Sequence, residues 1–301
     1  MSKTDLALVK KDVVDVVTAK VREFQEHGEL HMPANYSPEN AMKSAWLILQ
    51  NSVDKDKKPV LEVCTMNSIA NSLLDMVVQG LNPAKKQCYF IAYGNQLVCQ
   101  RSYFGTMVVT KQVAGAKDIY AQVVYKGDEF LYEINRGRKK IIKHIQSLES
   151  VDKDNIIAAY CVIEFDDDRS DFTDIMTMDQ IKKAWAMSKM YPIDDKTGEV
   201  KGSSTHGKYT DQMAIKTVVN RTCKSYINSS DDSSLVIRRF NRTDEEATER
   251  EVAQEIEENA NKDFIDIEAT IIDKGEVDNQ SDPTKEQSLP STGTTGGGPG
   301  F

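Results

Sequence analysis

The chain has 301 residues, of which 40% are apolar and 28% are charged, and its formal net charge is −9. This length is enough for one or two domains with a real hydrophobic core. The longest apolar run has eight residues, whereas a membrane-spanning helix needs about 18. The five cysteines are odd in number and show no CxxC spacing. We therefore expect a protein of a reduced cytoplasm rather than a secreted, membrane-spanning or disulfide-stapled one.

The first 80 residues predict three amphipathic helices. Apolar residues recur at helical spacing from Asp5 to Glu26. Ser37-Pro38 combines an N-cap with a proline at the first helical position, and it opens a second helix that runs to Leu49. The third helix is predicted over 66–79, and Gly80 follows it where a left-handed C-terminal cap is expected.

After residue 82 the pattern changes to short strands. Two runs of strand formers, 87–93 and 96–100, flank Gly94-Asn95, a two-residue turn typical of a tight hairpin. The further elements predicted along the chain are a helix at 103–113, strands at 119–125, 130–134 and 156–165, an exposed basic turn at 136–140, and helices at 179–189 and 212–227. Helices and strands alternate without the regular βαβ period of a parallel sheet. The predicted fold class is therefore α+β, a single compact core in which a β-hairpin or meander sheet is packed by helices.

Charge is distributed unevenly along the chain. Residues 241–301 hold 16 acids and 5 bases, and they end in the low-complexity run 290–301. The first 240 residues are nearly balanced, with 31 acids and 33 bases. We therefore predict a folded core over 1–240 and an acidic, largely disordered tail over 241–301.

A second charge feature lies inside the predicted core. No acidic residue occurs between Asp75 and Asp118, over 42 positions. The same window holds five bases and several aromatic residues, which argues against burial throughout. A solvated surface normally mixes both signs of charge, so a long stretch without acids indicates an anionic partner.

The last predicted helix has the same character on one face. At 100° per residue, a single arc of this helix holds Lys216, Thr217, Asn220, Arg221 and Lys224. No carboxylate of the helix lies in that arc. We interpret the arc as a stripe that contacts phosphate, and the plainer alternative is a solvated charged face.

Residues 202–208 match the spacing GxxxxGK of a nucleotide-binding loop. Tyr209 stands where that motif needs a Ser or Thr hydroxyl for magnesium, and no hydrophobic strand precedes the loop. Nucleotide-driven strand exchange is therefore an alternative, and a flexible loop that carries Lys208 is favoured. The sequence contains no constellation typical of covalent catalysis or metal binding, which argues against an enzyme.

Five segments, in order along the chain, resemble the RecT family of phage single-strand annealing proteins. They are Gly80-Leu81-Asn82-Pro83, residues 88–95 (CYFIAYGN), Gln100 with Tyr103–Gly105, Ala158-Ala159-Tyr160, and residues 215–221 (IKTVVNR). The corresponding family segments are GLDP, CYFIPYGN, LQxGYKG, AAYA and KKTVIRR. This chain departs at Asn82, Ala92 and Phe104, where the family usually has Asp, Pro and Lys. The last departure removes one expected charge.

The resemblance covers about residues 65–230 and implies a non-enzymatic protein that anneals complementary single strands without ATP. It also implies DNA in a basic groove, the annealed duplex as an intermediate, and self-assembly into rings or helical filaments. The implied partners are a phage exonuclease and the single-strand-binding protein of the bacterial host. No cofactor is expected, and a need for magnesium stays open. Three roles stay open for the acidic tail: it recruits a partner, it shields the groove before DNA arrives, or it only keeps the chain soluble.

The candidate residues are expected to line one cationic channel, formed by the hairpin-to-helix corner and the last helix. Bases attract phosphate through counterion release, amides and hydroxyls bond to the backbone, and aromatic rings stack on bases. The aromatic residues of 89–93 are expected to pack in the core instead, because alternation would bury one side of that strand. The candidate DNA-binding residues are Lys85, Lys86, Gln100, Arg101, Tyr103, Thr106, Lys111, Lys208, Tyr209, Lys216, Asn220, Arg221 and Lys224. A scaffold that binds protein and no DNA is the second alternative.

Overall fold

The computed structural model describes residues 3–187, 192–194, 196–229 and 234–245. Its helices are α1 (Lys3–Glu26), α2 (Pro38–Asn51), α3 (Val60–Val63), α4 (Met66–Val78), α5 (Tyr103–Ala114), α6 (Met178–Ala186), α7 (Thr205–Lys208), α8 (Thr210–Asn228) and α9 (Leu235–Glu245). Its strands are β1 (Cys88–Tyr93), β2 (Gln96–Arg101), β3 (Asp118–Tyr125), β4 (Glu129–Asn135), β5 (Arg138–Ile145), β6 (Ile156–Glu164) and β7 (Phe172–Thr177). A short 3-10 turn, Pro83–Lys85, precedes β1. This mixture of helix and strand confirms the predicted α+β class.

The helix boundaries follow from local capping. The Ser37 hydroxyl accepts a hydrogen bond from the backbone N–H of Asn40, and Pro38 occupies the first position of α2, as predicted. Thr65 caps α4 in the same way. Gly80, just beyond α4, has a φ of 66°, which a residue with a side chain rarely adopts.

The strands form three antiparallel sheets in the described part of the chain. β1 and β2 pair as the predicted hairpin, and Gly94 has a φ of 60° at the first turn position, typical of a type II′ turn. β3, β6 and β7 form a three-stranded sheet with β6 in the centre, and β4 pairs with β5.

Several elements differ from the sequence prediction. The basic run 136–140, predicted as an exposed turn, is a turn only at Arg136 and Gly137, because β5 begins at residue 138. Bases lower the strand propensity of this segment, and its pairing with β4 decides the conformation instead. Strand β7 and helices α3, α7 and α9 were not predicted, and α9 continues across residue 240. The predicted helical residues 188 and 189 and the tail beyond 245 lie outside the described residues.

The buried side chains form two hydrophobic clusters. The first combines residues of α1–α4, the β1–β2 hairpin and α9, and the second combines residues of β3, β6, β7, α6 and α8. Helix α5 contributes to both, because Val109 is buried in the first cluster while Met107 and Ala114 pack against the second. The five cysteines, all of which lie in the described residues, are buried and form no disulfide bond. None of the helices described here has the length and hydropathy that a membrane crossing requires.

A buried carboxylate joins β5 to the turn between β3 and β4. The side chain of Asp128 is fully buried, and its oxygens accept hydrogen bonds from Ser150 Oγ at 2.5 Å and Gln146 Nε2 at 2.9 Å. The backbone N–H of Tyr125 and the ring of His144 lie at 2.8 and 3.0 Å. Burial raises the pKa of Asp128, but the hydrogen bonds lower it more strongly, to about 2.

We expect Asp128 to make the folded state sensitive to acid. An unfolded aspartate has a pKa of about 3.9, so the stabilisation is present above about pH 4 and is lost as the pH falls towards 2. A pKa lowered to about 2 corresponds to about 2 kcal/mol of stability at neutral pH. Denaturant titrations between pH 6 and pH 2.5 measure this effect. Asp128→Asn should be less stable at pH 6 and should lose less stability between pH 4 and pH 2.5, and parallel curves would contradict the assignment.

Candidate nucleic-acid interface

The turn before β1 is built by its own side chains. Asn82 Oδ1 accepts a hydrogen bond from the N–H of Ala84 at 2.9 Å, and the Asn82 N–H donates to Gln87 Oε1 at 2.8 Å. Lys86 ends the turn with a φ of 56°. An aspartate at position 82 would accept the same bond from Ala84, so the change from the usual Asp to Asn is compatible with this turn.

Ser102 connects this turn to the start of α5 by hydrogen bonds. Its hydroxyl donates to the carbonyl oxygen of Lys86 at 2.7 Å and accepts from the Gly105 N–H at 3.3 Å. Its own N–H donates to the Gln87 carbonyl at 3.0 Å. Gly105 is the point of closest approach, because a Cβ there would overlap with the Gln87 carbonyl oxygen. The corner therefore holds Lys85 and Lys86 beside α5.

A cavity of about 510 Å³ opens at this corner, and we call it the lysine cavity. Its lining residues are Lys85, Lys86, Gln87, Phe104, Met107, Val108 and Lys111. Three of these residues are predicted DNA-binding lysines, and none of the seven is acidic. The fold thus brings together cations from the turn before β1 and from the last turn of α5.

Lys111 has a carboxylate partner outside this lining. Its Nζ lies 2.5 Å from Asp118 Oδ1, and this hydrogen bond lowers the pKa of Asp118. The Lys111 and Asp118 side chains are 38% and 40% exposed, so solvent screens the pair and it adds little stability. A phosphate group can therefore compete with Asp118 for this lysine.

The structure gives Arg101 and Thr106 internal roles. Arg101 Nη1 donates to Gln79 Oε1 at 2.8 Å and to Thr243 Oγ1 at 2.7 Å. Its guanidinium also stacks on Phe240 of α9, 3.6 Å from the ring centre. Thr106 is buried, and its hydroxyl accepts from Arg101 Nε at 3.2 Å. Because these groups hold α9 in place, we leave both residues out of the interface that we propose.

The aromatic candidates surround the same corner. Tyr103 is half-buried, and burial together with the nearby Tyr89 raises its pKa. Its ring centre lies 4.0 Å from that of Phe104. Tyr89 is 50% exposed, whereas the next residue of β1, Phe90, packs against the first cluster, so alternation buries one side of this strand. Gln100 pairs with Tyr89 across the hairpin and is half-buried.

Helix α8 presents the predicted stripe only in part. Lys216 is exposed, while Asn220 and Lys224 are half-buried. Thr217 is turned towards α6, where its hydroxyl accepts a hydrogen bond from Trp185 Nε1 at 2.8 Å. The stripe therefore consists of a few separate polar groups, and one predicted member, Thr217, instead connects α8 to α6.

Arg221 lies at a second cleft, of about 620 Å³, lined in part by β7 and α8. Its Nε is 3.0 Å from Asp174 Oδ2 of β7, and Asp174 Oδ1 is 2.6 Å from Lys139 Nζ. An acid from another element thus faces the stripe, which the helix alone did not predict. The charged lining residues are Arg138, Lys139, Arg169, Arg221, Asp168, Asp171 and Asp174. The two cavities share no lining residue, so Arg221 and the lysines of the lysine cavity lie at separate cavities.

Arg138, Lys139 and Arg169 were not among the predicted site residues. The basic run 136–140 was the available signal for the first two, and it was interpreted as a solvated turn. No sequence pattern indicated Arg169 as a site residue, because contacts with residues far away in the chain position its side chain at the cleft. Its Nη1 donates to the carbonyl of Ala114 at 2.9 Å and to Tyr226 Oη at 3.3 Å.

The GxxxxGK-like loop is a capped turn rather than an open phosphate cradle. The N–H groups of Gly207 and Lys208 donate to the hydroxyl and carbonyl oxygens of Ser204 at 3.1 and 3.0 Å. A nucleotide-binding loop directs such amides at phosphate groups, and it follows a parallel strand. Here an antiparallel bridge, Ile193 to Val200, precedes the loop. Lys208 and Tyr209 are exposed at its end.

Fold and site together define a mixed α+β protein with an acid-free lysine cavity at its surface. The side chains described here contain no group of three or more potential metal ligands. The RecT family model matches residues 39–263, more than half of the chain, and the chain belongs to the RecT family. Membership implies single-strand annealing and recombination in phages, with binding to single-stranded DNA. The comparison with curated proteins returned no match.

Proposed function

We propose that the protein binds the phosphate backbone of single-stranded DNA at the lysine cavity and pairs the bound strand with a complementary one. The observation that carries this proposal is the convergence of Lys85, Lys86 and Lys111 on one cavity without an acidic lining residue. Such lysines attract a strand largely independently of its sequence, because they displace condensed counterions from its phosphates. Annealing breaks no covalent bond, so the proposed activity needs neither a nucleophile nor ATP, and it takes place in the cytoplasm of the bacterial host.

The exposed side of α8 and the loop before it are the proposed second part of the interface. Lys216, Lys208 and Tyr209 are exposed there, and the amide of Asn220 can donate to phosphate or sugar oxygens. Arg221 takes part only if phosphate displaces Asp174. The α5–α8 contact supports a common interface, since α5 also carries Lys111 and Phe104.

Nucleotide-driven strand exchange is the less favoured function. The Gly207 and Lys208 amides are engaged within their own turn, and Tyr209 replaces the hydroxyl that magnesium would need. Binding of DNA that is unchanged by ATP would agree with the proposal, whereas DNA-stimulated ATP hydrolysis would favour strand exchange.

Substituting the three cavity lysines should weaken DNA binding and make it less dependent on salt. The variant is Lys85→Gln, Lys86→Asn and Lys111→Gln, since asparagine tolerates the positive φ of residue 86. For single strands, each lost phosphate contact lowers the slope of log K against log salt by about 0.7, so we expect a loss of about 2. The slope is measured by the fluorescence anisotropy of a labelled single-stranded oligonucleotide, titrated with protein at salt concentrations from 50 to 300 mM, about a sixfold range.

The matched control removes three exposed lysines that lie outside the lysine cavity, with the changes Lys126→Gln, Lys153→Gln and Lys196→Gln. Both triple variants lose the same net charge, so a general field effect would change their slopes equally. A slope that is unchanged in the cavity variant, or lowered equally in both, would remove the lysine cavity from the proposed interface.

Self-assembly and partner binding complete the proposal. One cavity grips only a few nucleotides, so stable capture of a strand requires neighbouring protomers in a ring or filament, with α1 as the proposed contact. The acidic residues beyond α9 are proposed to recruit the exonuclease or the host single-strand-binding protein. A truncation that probes this tail must retain residue 245, because Arg242 of α9 pairs with Asp75 of α4.

A further inference from the structure

Two aromatic side chains are exposed without a packing role in the core, one of them lining the lysine cavity and the other close to Tyr103. Phe104 is 45% exposed and Tyr89 is 50% exposed, and neither belongs to the two hydrophobic clusters or packs against them. Tyr103, whose ring contacts Phe104, packs against the second cluster. Tyr103 therefore anchors an aromatic surface that Phe104 extends towards the lysine cavity.

The lysine cavity is amphipathic. Phe104, Met107 and Val108 form its apolar part, and Lys85, Lys86 and Lys111 supply its charge. A free phosphate would use only the lysines, whereas a nucleotide unit has a flat apolar face and an attached anion. The shape and chemistry of the cavity therefore match a base together with its phosphate.

We propose that Phe104 stacks on a nucleobase of the bound strand while the cavity lysines hold the adjoining phosphates. This inference rests on the proposed function and adds a base-contacting residue to it. Stacking uses the face of the base and leaves its hydrogen-bonding edge free to test a second strand. The family usually has a lysine at position 104, so this chain exchanges a charge for an aromatic face at the mouth of the cavity.

The test compares an ordinary single strand with an abasic strand of the same length. Wild-type protein should bind the ordinary strand at least about fivefold more tightly, because one stacked base contributes at least that much. Phe104→Leu keeps an apolar side chain without a stacking face, and it should lose most of this difference while it binds the abasic strand as wild type does. Quenching of 2-aminopurine in the ordinary strand reports stacking directly and should fall in the same variant.

Two further variants separate stacking from other roles. Phe104→Lys should also lose the preference for bases, but its salt slope should rise by about 0.7 because it adds a phosphate contact. Tyr132→Leu removes a similarly exposed aromatic ring, 43% exposed, from β4 outside the lysine cavity and should leave both measurements unchanged.

The outcomes distinguish this inference from the function on which it rests. If Phe104→Leu keeps the full preference for bases while the lysine variant loses its salt slope, the stacking role is wrong and the phosphate site stands. If the lysine variant keeps its slope, the site itself fails. If Phe104→Leu changes the particle size of the protein without DNA, Phe104 belongs to a contact between copies, which also overturns the proposal.

Discussion

Replacing Asp75 by asparagine should lower the free energy of unfolding by about 3–5 kcal/mol. The Asp75 side chain is 4% exposed, and its Oδ1 lies 2.8 Å from Nη1 of Arg239, which is equally buried. Its Oδ2 pairs with Arg242. Because the carboxylate balances two guanidinium groups, its loss leaves positive charge in the interior without compensation.

Urea denaturation followed by circular dichroism measures this loss, and Asp154→Asn in an exposed ion pair is the control. The control should be indistinguishable from wild type. Replacing the whole group, with Asp75→Leu, Arg239→Met and Arg242→Met, should recover most of the stability, since apolar residues often replace a buried ion pair without loss. A triple variant as unstable as Asp75→Asn would show that shape rather than charge determines the effect.

Gly105→Ala should destabilise the protein by about 3 kcal/mol and should also weaken DNA binding. A Cβ at this position overlaps with the Gln87 carbonyl oxygen and lies 2.6 Å from Cγ of Arg101. The carbonyl cannot move freely, because it accepts a hydrogen bond from the Ser102 N–H. Helix α5 must therefore shift away from the turn before β1, which separates Lys111 from Lys85 and Lys86.

Gly202→Ala is the matched control, because Gly202 has open space around its position and no positive φ. Its free energy of unfolding should change by less than about 0.5 kcal/mol. Thermal unfolding and the anisotropy titration are measured on both variants. Wild-type stability in Gly105→Ala would contradict the close packing of α5 on the turn.

Local signals in the sequence predicted most elements and the family. Caps and tight turns depend only on residues a few positions apart in the chain. They are therefore found where they were predicted, at Ser37-Pro38, Gly80 and Gly94-Asn95. The family segments are likewise contiguous, and the family comparison confirms the family that they indicated. By contrast, β5 is a strand because β4 pairs with it, and α9 is buried through its contacts with α4, β2 and α5.

Composition and spacing by themselves determined the α+β class, the concentration of acids after residue 240 and the acid-free window between Asp75 and Asp118. Only the tertiary structure decided which of those bases are available to a ligand. Arg101 is enclosed by α9, and Arg221 pairs with Asp174. Lys85, Lys86 and Lys111 line an acid-free cavity, and of these Lys111 also pairs with Asp118 outside the lining. The physical reason is that a charge interacts over a few ångströms in space, and the residues that come so close are set by packing rather than by their separation along the chain.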